Sequence, residues 1–517
     1  MKRMIAATLT LALTTAALAG CAANAAAPTD DQNTVAAATM SNETGKTPKY
    51  VFLFIGDGMS YPQIQSTSDY LGALNDEDYW QAQPSLDDNQ GAILDGPEYL
   101  NFMNFEGVGT AVTFDSNSFA PDSASTATSI ATGHKTYSGS INVDETGTVE
   151  YETIAEQLKA QKGYEIGVIT SVNLNHATPA AFYAHQASRS SYYEIGLEMV
   201  ESDFDYFAGG GLLDPTGSEG DQTDLYQLAQ EAGYTVARTY AEADAISADT
   251  DKAIIIEENL ADSDAIPYEI DRTDDMWSLA DYVEKGIEVL DNDTGFFMMC
   301  EGGKIDWACH ANDAGSAIHD TQALADAVQV AIDFAAEHPD ETLILVTGDH
   351  ETGGLTIGFA GTDYDTYLDL LENQKISYAK FDSDYVASYK ENKTPFEDVL
   401  SDIEELFGLK AQGAADDKLV LTEYEMEQLR AAYEKSVNGT AASQYEQEEY
   451  VLYGTYEPLS VTITHIINNK SGISFTSYSH TGLPVAVLAE GVGAESFSGY
   501  YDNTQIYEKM ADLLNIA

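Results

Sequence analysis

The chain has 517 residues, enough for one large domain with insertions or for two or three ordinary domains. Its hydrophobic fraction of 44% indicates a packed core, whereas its 86 acidic and 23 basic residues give a formal net charge of -63. Such a surface repels nucleic acids and anionic lipid headgroups, so nucleic-acid binding is excluded as the main function. An anionic substrate would need strong local positive charge, which bound metal ions supply. A saline habitat would be one origin of the acidic surface.

The N-terminal segment has the pattern of a bacterial lipoprotein signal peptide. A short basic stretch precedes an apolar run that ends in Leu-Ala-Gly-Cys at Cys21. This predicts a signal peptide over residues 1–20, a lipid anchor on Cys21 and membrane attachment through that anchor alone. A secretory signal cut near residues 25–27, which gives a periplasmic or secreted protein, is the alternative. Residues 21–48 show no apolar period and are predicted to form a flexible tether.

Short apolar runs alternate with helical patterns along much of the remaining chain. The runs are typical of strands buried on both faces, and they occupy residues 50–55, 165–170, 295–300 and 342–347. Helical patterns occupy residues 151–162, 277–291 and 315–337. The alternation predicts an α/β fold, a three-layer α/β/α sandwich with a largely parallel central sheet. Ligands of such sheets bind at the carboxyl ends of the strands.

Residues 361–470 differ from this pattern. They are rich in Tyr, Glu, Asp and Lys, with helical stretches near 395–407 and 422–436. We expect a helical insertion whose role the sequence leaves open between a lid, an interface and structural elaboration.

Two polar residues stand in small-residue segments where the chain turns. Asp57 lies between glycines directly after the first apolar run, where the backbone can turn closely around a ligand, although an ordinary turn is the alternative. Ser123 lies in a segment that opens a predicted helix, where unpaired amide groups would stabilise a phosphoserine dianion. The alternative is that Ser123 is the N-cap of that helix.

Residue types that bind zinc recur farther along the chain. Asp306 and His310 are four apart and share one face of a predicted helix, a good spacing for zinc ligands. Asp349 and His350 are adjacent and directly follow an apolar run. His480 is isolated, and an isolated histidine is more often structural.

A second ligand set is made of oxygen atoms. Asp57, Thr178 and Glu301 together suit magnesium, which prefers oxygen ligands. Arg189 lies about three turns beyond Thr178 if that segment is helical, and a guanidinium can bind two phosphate oxygens at once. A surface ion pair is the alternative for Arg189.

These segments together resemble the alkaline phosphatase family. They follow the family's order across residues 49–515, with residues 361–470 covered least. The motifs that carry the resemblance are GDGMS at 56–60, DSASTATSIATGHKTYSG at 122–139, HATPAAFYAHQASR at 176–189, EGGKIDWACH at 301–310, TGDHETGG at 347–354 and HTG at 480–482.

The resemblance implies a catalytic domain over residues 49–517 that hydrolyses small phosphate monoesters through a phosphoserine intermediate. It implies that Ser123 is the nucleophile, that Arg189 binds the substrate phosphate, and that the protein forms a homodimer as many members do. It also implies two zinc ions and one magnesium ion per chain. The implied ligands are Asp306, His310 and His480 for one zinc, Asp57, Asp349, His350 and Ser123 for the other, and Asp57, His176, Thr178 and Glu301 around magnesium.

Two positions depart from the family's best-known bacterial members. His176 stands where they carry Asp, which weakens the oxygen shell of the third metal site. Trp307 stands where they carry Lys, which removes a cation near the phosphate and leaves diester hydrolysis as an alternative. A sulfatase is excluded because Ser123 lacks the x-Pro-x-Arg context. A lipoprotein that binds metal or phosphate without turnover is the remaining alternative.

Overall fold

The computed structural model describes residues 46–76, 79, 94–439 and 447–516. The predicted signal peptide, Cys21 and nearly all of the predicted tether lie outside these residues and stay predictions. No helix within the described ranges is long and apolar enough to cross a membrane.

The described chain is built around a ten-stranded sheet, with two small two-stranded sheets beside it. The strands are β1 (Tyr50–Gly56), β2 (Gly107–Val112), β3 (Glu165–Asn173), β4 (Tyr206–Gly210), β5 (Thr235–Ala237), β6 (Ala253–Ile256), β7 (Phe296–Gly302), β8 (Thr342–Gly348), β9 (Glu351–Thr352), β10 (Thr356–Ile357), β11 (Ile473–Ser474), β12 (His480–Thr481), β13 (Val485–Gly491) and β14 (Gly499–Asp502). The large sheet has the order β14-β2-β13-β8-β1-β7-β3-β4-β6-β5. Its pairings are parallel except those that β13 makes with β2 and β8.

Helices cover both faces of this sheet. They span Tyr61–Asn75, Ser123–Thr132, Ile154–Lys162, Ala177–Ala180, Tyr192–Glu201, Leu225–Glu231, Tyr240–Asp244, Leu279–Leu290, Lys304–His310, Ala314–Glu337, Tyr378–Phe381, Ala387–Asn392, Phe396–Phe407, Glu423–Asn438, Gln447–Tyr453, Pro458–Ser471 and Thr504–Leu514. Alternate residues of β1 enter two separate cores. Leu53 packs with the layer that holds Ile130 and Ile506, whereas Phe52 packs with the layer that holds Val283 and Val328.

The predicted three-layer α/β/α sandwich with a largely parallel sheet is therefore confirmed. The apolar runs predicted as strands form β1, β3, β7 and β8, because a strand buried on both faces needs apolar residues at every position. The two remaining cysteines, Cys300 and Cys309, are buried free thiols.

The predicted helical insertion lies between β10 and β11. Its helices include Phe396–Phe407 and Glu423–Asn438, close to the predicted helical stretches. Their apolar faces form a third core, in which Val399 and Leu429 pack with Tyr70 of the first helix.

Candidate active site

The carboxyl ends of three neighbouring strands bring the predicted acidic residues together. In the sheet, β1 lies between β7 and β8, and Gly56 is in register with both Gly302 and Gly348. Asp57 and Asp349 directly follow β1 and β8, and Glu301 is the penultimate residue of β7. Since parallel strands end at one edge of a sheet, these three carboxylates meet there, and all three are buried.

The helix Ser123–Thr132 presents Ser123 to this edge. The N-cap is Asp122, whose carboxylate accepts a hydrogen bond from Ser125 N at 3.1 Å, so the alternative that Ser123 is the cap is wrong. Ser123 is the first helical residue, and its side chain does not cap the helix N-terminus. Its Oγ lies 3.2 Å from His350 Nε2 and 3.5 Å from Asp57 Oδ1.

A first cluster of metal-type ligands consists of Asp57, Asp349 and His350. His350 Nε2 lies 3.3 Å from a carboxylate oxygen of each aspartate. Burial, reinforced by the charge of Asp349, raises the pKa of Asp57 well above its ordinary value. Burial and the nearby His480 lower the pKa of His350 well below its ordinary value. The lowered pKa of His350 favours a neutral imidazole, the form that binds metal.

A second cluster consists of Asp306, His350 and His480. The sequence predicted His310 as the third ligand with Asp306 and His480, and His310 lies against this cluster. Its Nε2 is 3.3 Å from Asp306 Oδ2 and 3.0 Å from His480 Nε2. The helix Lys304–His310 places Asp306 and His310 on one face, as their spacing predicted.

Backbone carbonyls fix the orientation of the two outer histidines. His310 Nδ1 lies 2.7 Å from Tyr478 O, and His480 Nδ1 lies 2.6 Å from Pro121 O. A carbonyl only accepts hydrogen bonds, so each Nδ1 carries a proton and each ring directs its Nε2 inward.

The predicted oxygen set also comes together. The Thr178 hydroxyl donates to Asp57 Oδ2 at 3.3 Å. The Thr170 hydroxyl donates to Glu301 Oε2, whereas the buried Glu301 Oε1 has no hydrogen-bond partner in the described part of the chain. Burial raises the pKa of Glu301 to about 7.

Arg189 reaches the site by a different route from the one predicted. The helix that contains Thr178 ends at Ala180, so the prediction that Arg189 lies three turns along it is wrong. Backbone hydrogen bonds between Ile141 and Gln186 instead draw the chain into an extended bridge. Arg189 then turns back toward the helix Ser123–Thr132.

The Arg189 guanidinium is held by a carboxylate next to the serine. Its Nη1 donates to Asp122 Oδ2 at 2.9 Å, and the charge of Arg189 overcomes the effect of burial to lower the pKa of Asp122. Asp122 therefore both caps the helix of Ser123 and positions Arg189, a double role that the sequence analysis missed. An aspartate directly before a helix start was the available signal.

His176 lies beside Arg189. Its Nε2 is 3.4 Å from Arg189 Nη2, and its ring centroid is 5.9 Å from that of Trp307. No hydrogen bond joins His176 to Glu301 or Thr178 among the described residues. Its Nδ1 is buried without a hydrogen-bond partner in the same part of the chain. Burial and the charge of Arg189 lower the pKa of His176 to about 3, so the ring is neutral.

A cavity of about 340 Å³ opens onto these groups. Ser123, Arg189 and His176 line it together with Asp306, His310 and His480. The Ser123 hydroxyl, a guanidinium and the ligand group of Asp306, His310 and His480 therefore face one space, while Ser123 Oγ also contacts Asp57 and His350 of the first cluster. This arrangement is suited to the transfer of a phosphoryl group.

A sequence profile described as alkaline phosphatase matches residues 48–516. The chain belongs to the alkaline phosphatase family. Alkaline phosphatase 3 of Bacillus subtilis (strain 168) is 30% identical over 469 residues, which cover 89% of this chain and 87% of that protein. The crystal structure of a cold-active alkaline phosphatase from the psychrophile Shewanella sp. is 30% identical with a TM-score of 0.68, covering 90% of this chain and 99% of that one.

A third relative bears on the metal chemistry. A variant of TAB5 alkaline phosphatase with a histidine replaced by glutamate is 25% identical to this chain, with a TM-score of 0.59. The similarity covers 91% of this chain and 99% of that one, and the variant's structure has Mg bound in the M3 site. The family consists of metal-dependent phosphomonoesterases, and this chain is an enzyme of that class.

Proposed function

We propose that this enzyme hydrolyses phosphate monoesters through a phosphoserine intermediate on Ser123, with two zinc ions and one magnesium ion bound. One observation carries the proposal. The Ser123 hydroxyl lies 3.2 Å from His350 Nε2, inside a cavity that Arg189 also lines.

The residues present fit these metal ions. Asp57, Glu301, Asp306 and Asp349 are all buried, and such a concentration of carboxylates at one place requires compensating cations. The buried Glu301 Oε1 is an unsatisfied acceptor of the kind that a cation would satisfy, and the Nε2 atoms of His310 and His480 face inward as zinc ligands do. Mixed imidazole and carboxylate donors match zinc, and oxygen donors match magnesium.

The assignment of ligands follows the predicted sets. Asp306, His310 and His480 would hold one zinc ion, and Asp57, Asp349 and His350 would hold the other beside Ser123. Asp57, Thr178 and Glu301 would hold magnesium, with His176 as the further residue around this site. When bound, the ions would stabilise negative charge on the oxygens of the reacting phosphate and lower the pKa of the serine hydroxyl.

The protein's own groups define the path of the reaction. Ser123 Oγ attacks phosphorus, the ester oxygen leaves with its alcohol, and water then attacks the phosphoserine to release phosphate and restore the hydroxyl. Ser123 stands at the N-terminus of a ten-residue helix, where amide groups stabilise the phosphoserine dianion. Arg189, held in place by Asp122, binds two nonbridging phosphate oxygens.

His176, which stands where the best-known bacterial members carry Asp, bears on which metal ion the third site prefers. In the TAB5 variant, magnesium is bound in the M3 site when a glutamate replaces a histidine. By analogy, we propose that the neutral His176 ring weakens magnesium binding in this chain, since a hard cation prefers carboxylate oxygen to imidazole nitrogen.

We also propose that the protein is anchored outside the cytoplasm by lipid on Cys21, and that it forms a homodimer. The N-terminal sequence pattern supports the anchor, and the frequency of dimers in the family supports the second proposal. Cys21→Ser should move the protein from the membrane fraction to the soluble fraction, and light scattering of the purified protein should give twice the chain mass.

The test of the metal-dependent activity is removal and restoration of zinc. The purified enzyme should hydrolyse p-nitrophenyl phosphate, lose that activity in a chelator, and regain it with zinc and magnesium. Bis-p-nitrophenyl phosphate in the same preparation tests the diesterase alternative that Trp307 leaves open. Faster hydrolysis of the diester, or activity that survives complete removal of metal, would contradict the proposal.

A further inference from the structure

The cavity that contains Ser123 has a wall of aromatic rings. Trp307, Tyr378 and Tyr456 line it in addition to the groups that face the phosphate. Trp307 lies on the helix Lys304–His310, whereas both tyrosines belong to the insertion over residues 361–470. The insertion therefore contributes directly to the active-site cavity.

The position of Tyr456 suggests which part of the substrate the aromatic wall would contact. Ser123 contacts Asp57 and His350, and in an in-line displacement the alcohol leaves on the side away from Ser123. Tyr456 lines the same cavity as Asp306 and Ser123, and the described contacts of the Ser123 hydroxyl are with Asp57 and His350 and not with Tyr456.

Tyr378 and Tyr456 are oriented so that an aromatic ring of a ligand could pack against them. Their centroids are 5.7 Å apart at an interplanar angle of 85°, a T-shaped pair. No hydrogen bond of the Tyr456 hydroxyl is found within residues 46–76, 94–439 and 447–516. Tyr456 can therefore offer both a ring and a polar group to a ligand.

An ion pair between Lys304 and Asp262 lies next to this aromatic wall. Lys304 is fully buried, and its Nζ lies 2.6 Å from Asp262 Oδ1. The same Nζ lies 4.1 Å from the ring centroid of Tyr268 and 4.6 Å from that of Trp307. The Tyr268 hydroxyl in turn donates to the Tyr378 hydroxyl at 3.3 Å. These contacts fix two of the three rings before substrate binds, which reduces the entropy lost on binding.

We propose that Trp307, Tyr378 and Tyr456 form a subsite for the alcohol part of the substrate, and that the preferred substrates are phosphate monoesters of uncharged aromatic alcohols. The proposal rests on the phosphomonoesterase function proposed above. Aromatic faces bind a flat ring through offset or edge-on contacts. The net charge of -63 disfavours alcohols with further negative charge.

The experiment compares two esters that differ in aromaticity alone. The alcohols of 2-phenylethyl phosphate and 2-cyclohexylethyl phosphate are primary and similar in size and acidity, so the chemistry of the leaving group is matched. The metal-loaded enzyme should show a kcat/KM about 2- to 10-fold higher for the phenyl ester. Tyr456→Leu should bring this ratio close to one, whereas Tyr456→Phe should preserve it. Tyr424→Leu is the matched control, since Tyr424 is an insertion tyrosine that is 69% exposed.

The outcomes separate this proposal from the function on which it rests. Hydrolysis of both esters at a ratio near one would overturn the subsite alone. A high ratio that survives both Tyr456→Leu and Trp307→Leu would also overturn it, and the second variant gives the test if the first does not fold. Absence of hydrolysis of p-nitrophenyl phosphate and of both esters would overturn the proposed function together with the subsite.

Discussion

The Nε2 atoms of His310 and His480 lie 3.0 Å apart. Each ring is oriented by a backbone carbonyl at its Nδ1, so the two Nε2 atoms face one another beside the carboxylate of Asp306. When both rings are neutral, as metal ligands are, their Nε2 lone pairs repel each other unless a cation lies between or beside them. This relationship is the strongest geometric argument for a metal ion at this end of the cavity.

Removal of one of these rings should therefore remove a metal ion. We expect His480→Ala to bind about one zinc ion fewer per chain and to lose at least about 100-fold in kcat/KM, since even indirect disturbance of a metal ligand lowers affinity or activity about 10- to 100-fold. Metal analysis after gel filtration and monoester kinetics measure both effects. His338→Ala, at a histidine outside the cavity, should retain wild-type zinc content. Full zinc content in His480→Ala would contradict the assignment.

Arg189 should act on the binding of phosphate. Arg189→Ala removes two charge-assisted hydrogen bonds to the substrate, which should lower kcat/KM about 10- to 100-fold at unchanged zinc content. Inorganic phosphate should inhibit the variant at correspondingly higher concentration. Arg238→Ala, whose side chain stacks on Tyr226 outside the cavity, serves as the control. Equal inhibition of Arg189→Ala and wild type by phosphate would count against this role.

His176 should determine the preference for the third metal. His176→Asp replaces a neutral nitrogen with carboxylate oxygen, so we expect tighter magnesium binding and stronger activation by magnesium. Titration of the zinc-loaded enzyme with magnesium, followed by activity and by metal content, tests this. The expectation fails if wild type and variant show the same magnesium dependence.

His185 provides a test of electrostatics away from the metal ligands. Its ring lies 3.5 Å from Glu156 and 3.4 Å from Glu198, and these carboxylates raise its pKa from 6.5 to about 10 against the effect of burial. The folded state therefore binds this proton more tightly than the unfolded state. The resulting stabilisation is complete below about pH 6.5 and is lost as the pH rises toward 10.

His185→Gln should accordingly destabilise the protein by about 1.5–3 kcal/mol at pH 6, the strength of a hydrogen bond to a charged group. The difference from wild type should shrink between pH 7 and pH 10. Urea unfolding at three pH values measures it, and titration of other groups cancels in the comparison. A difference that does not depend on pH would show that His185 contributes packing alone.

Much of the fold and of the site could be predicted because the signals are local. Continuous apolar runs such as that of β1 identify buried strands, and the edge at which parallel strands end explains why Asp57, Glu301 and Asp349 meet. The helical spacing of Asp306 and His310 likewise survives in the structure.

The parts that could not be predicted depend on contacts between residues far apart in the sequence. Arg189 reaches the site because an extended bridge to Ile141 replaces the expected helix. The aromatic wall depends on the ion pair between Lys304 and Asp262. It also depends on the fold of the insertion, which places Tyr456 at the cavity. Neither hydrophobic periodicity nor local residue spacing predicts these long-range contacts.

The central claim is that Ser123 is the nucleophile of a metal-loaded phosphatase. The most direct measurement compares turnover and zinc content of Ser123→Ala with those of wild type, with Ser129→Ala, farther along the same helix, as the control. The account predicts that Ser123→Ala retains its zinc and loses nearly all hydrolysis of p-nitrophenyl phosphate. Substantial turnover by a zinc-loaded Ser123→Ala variant would contradict it.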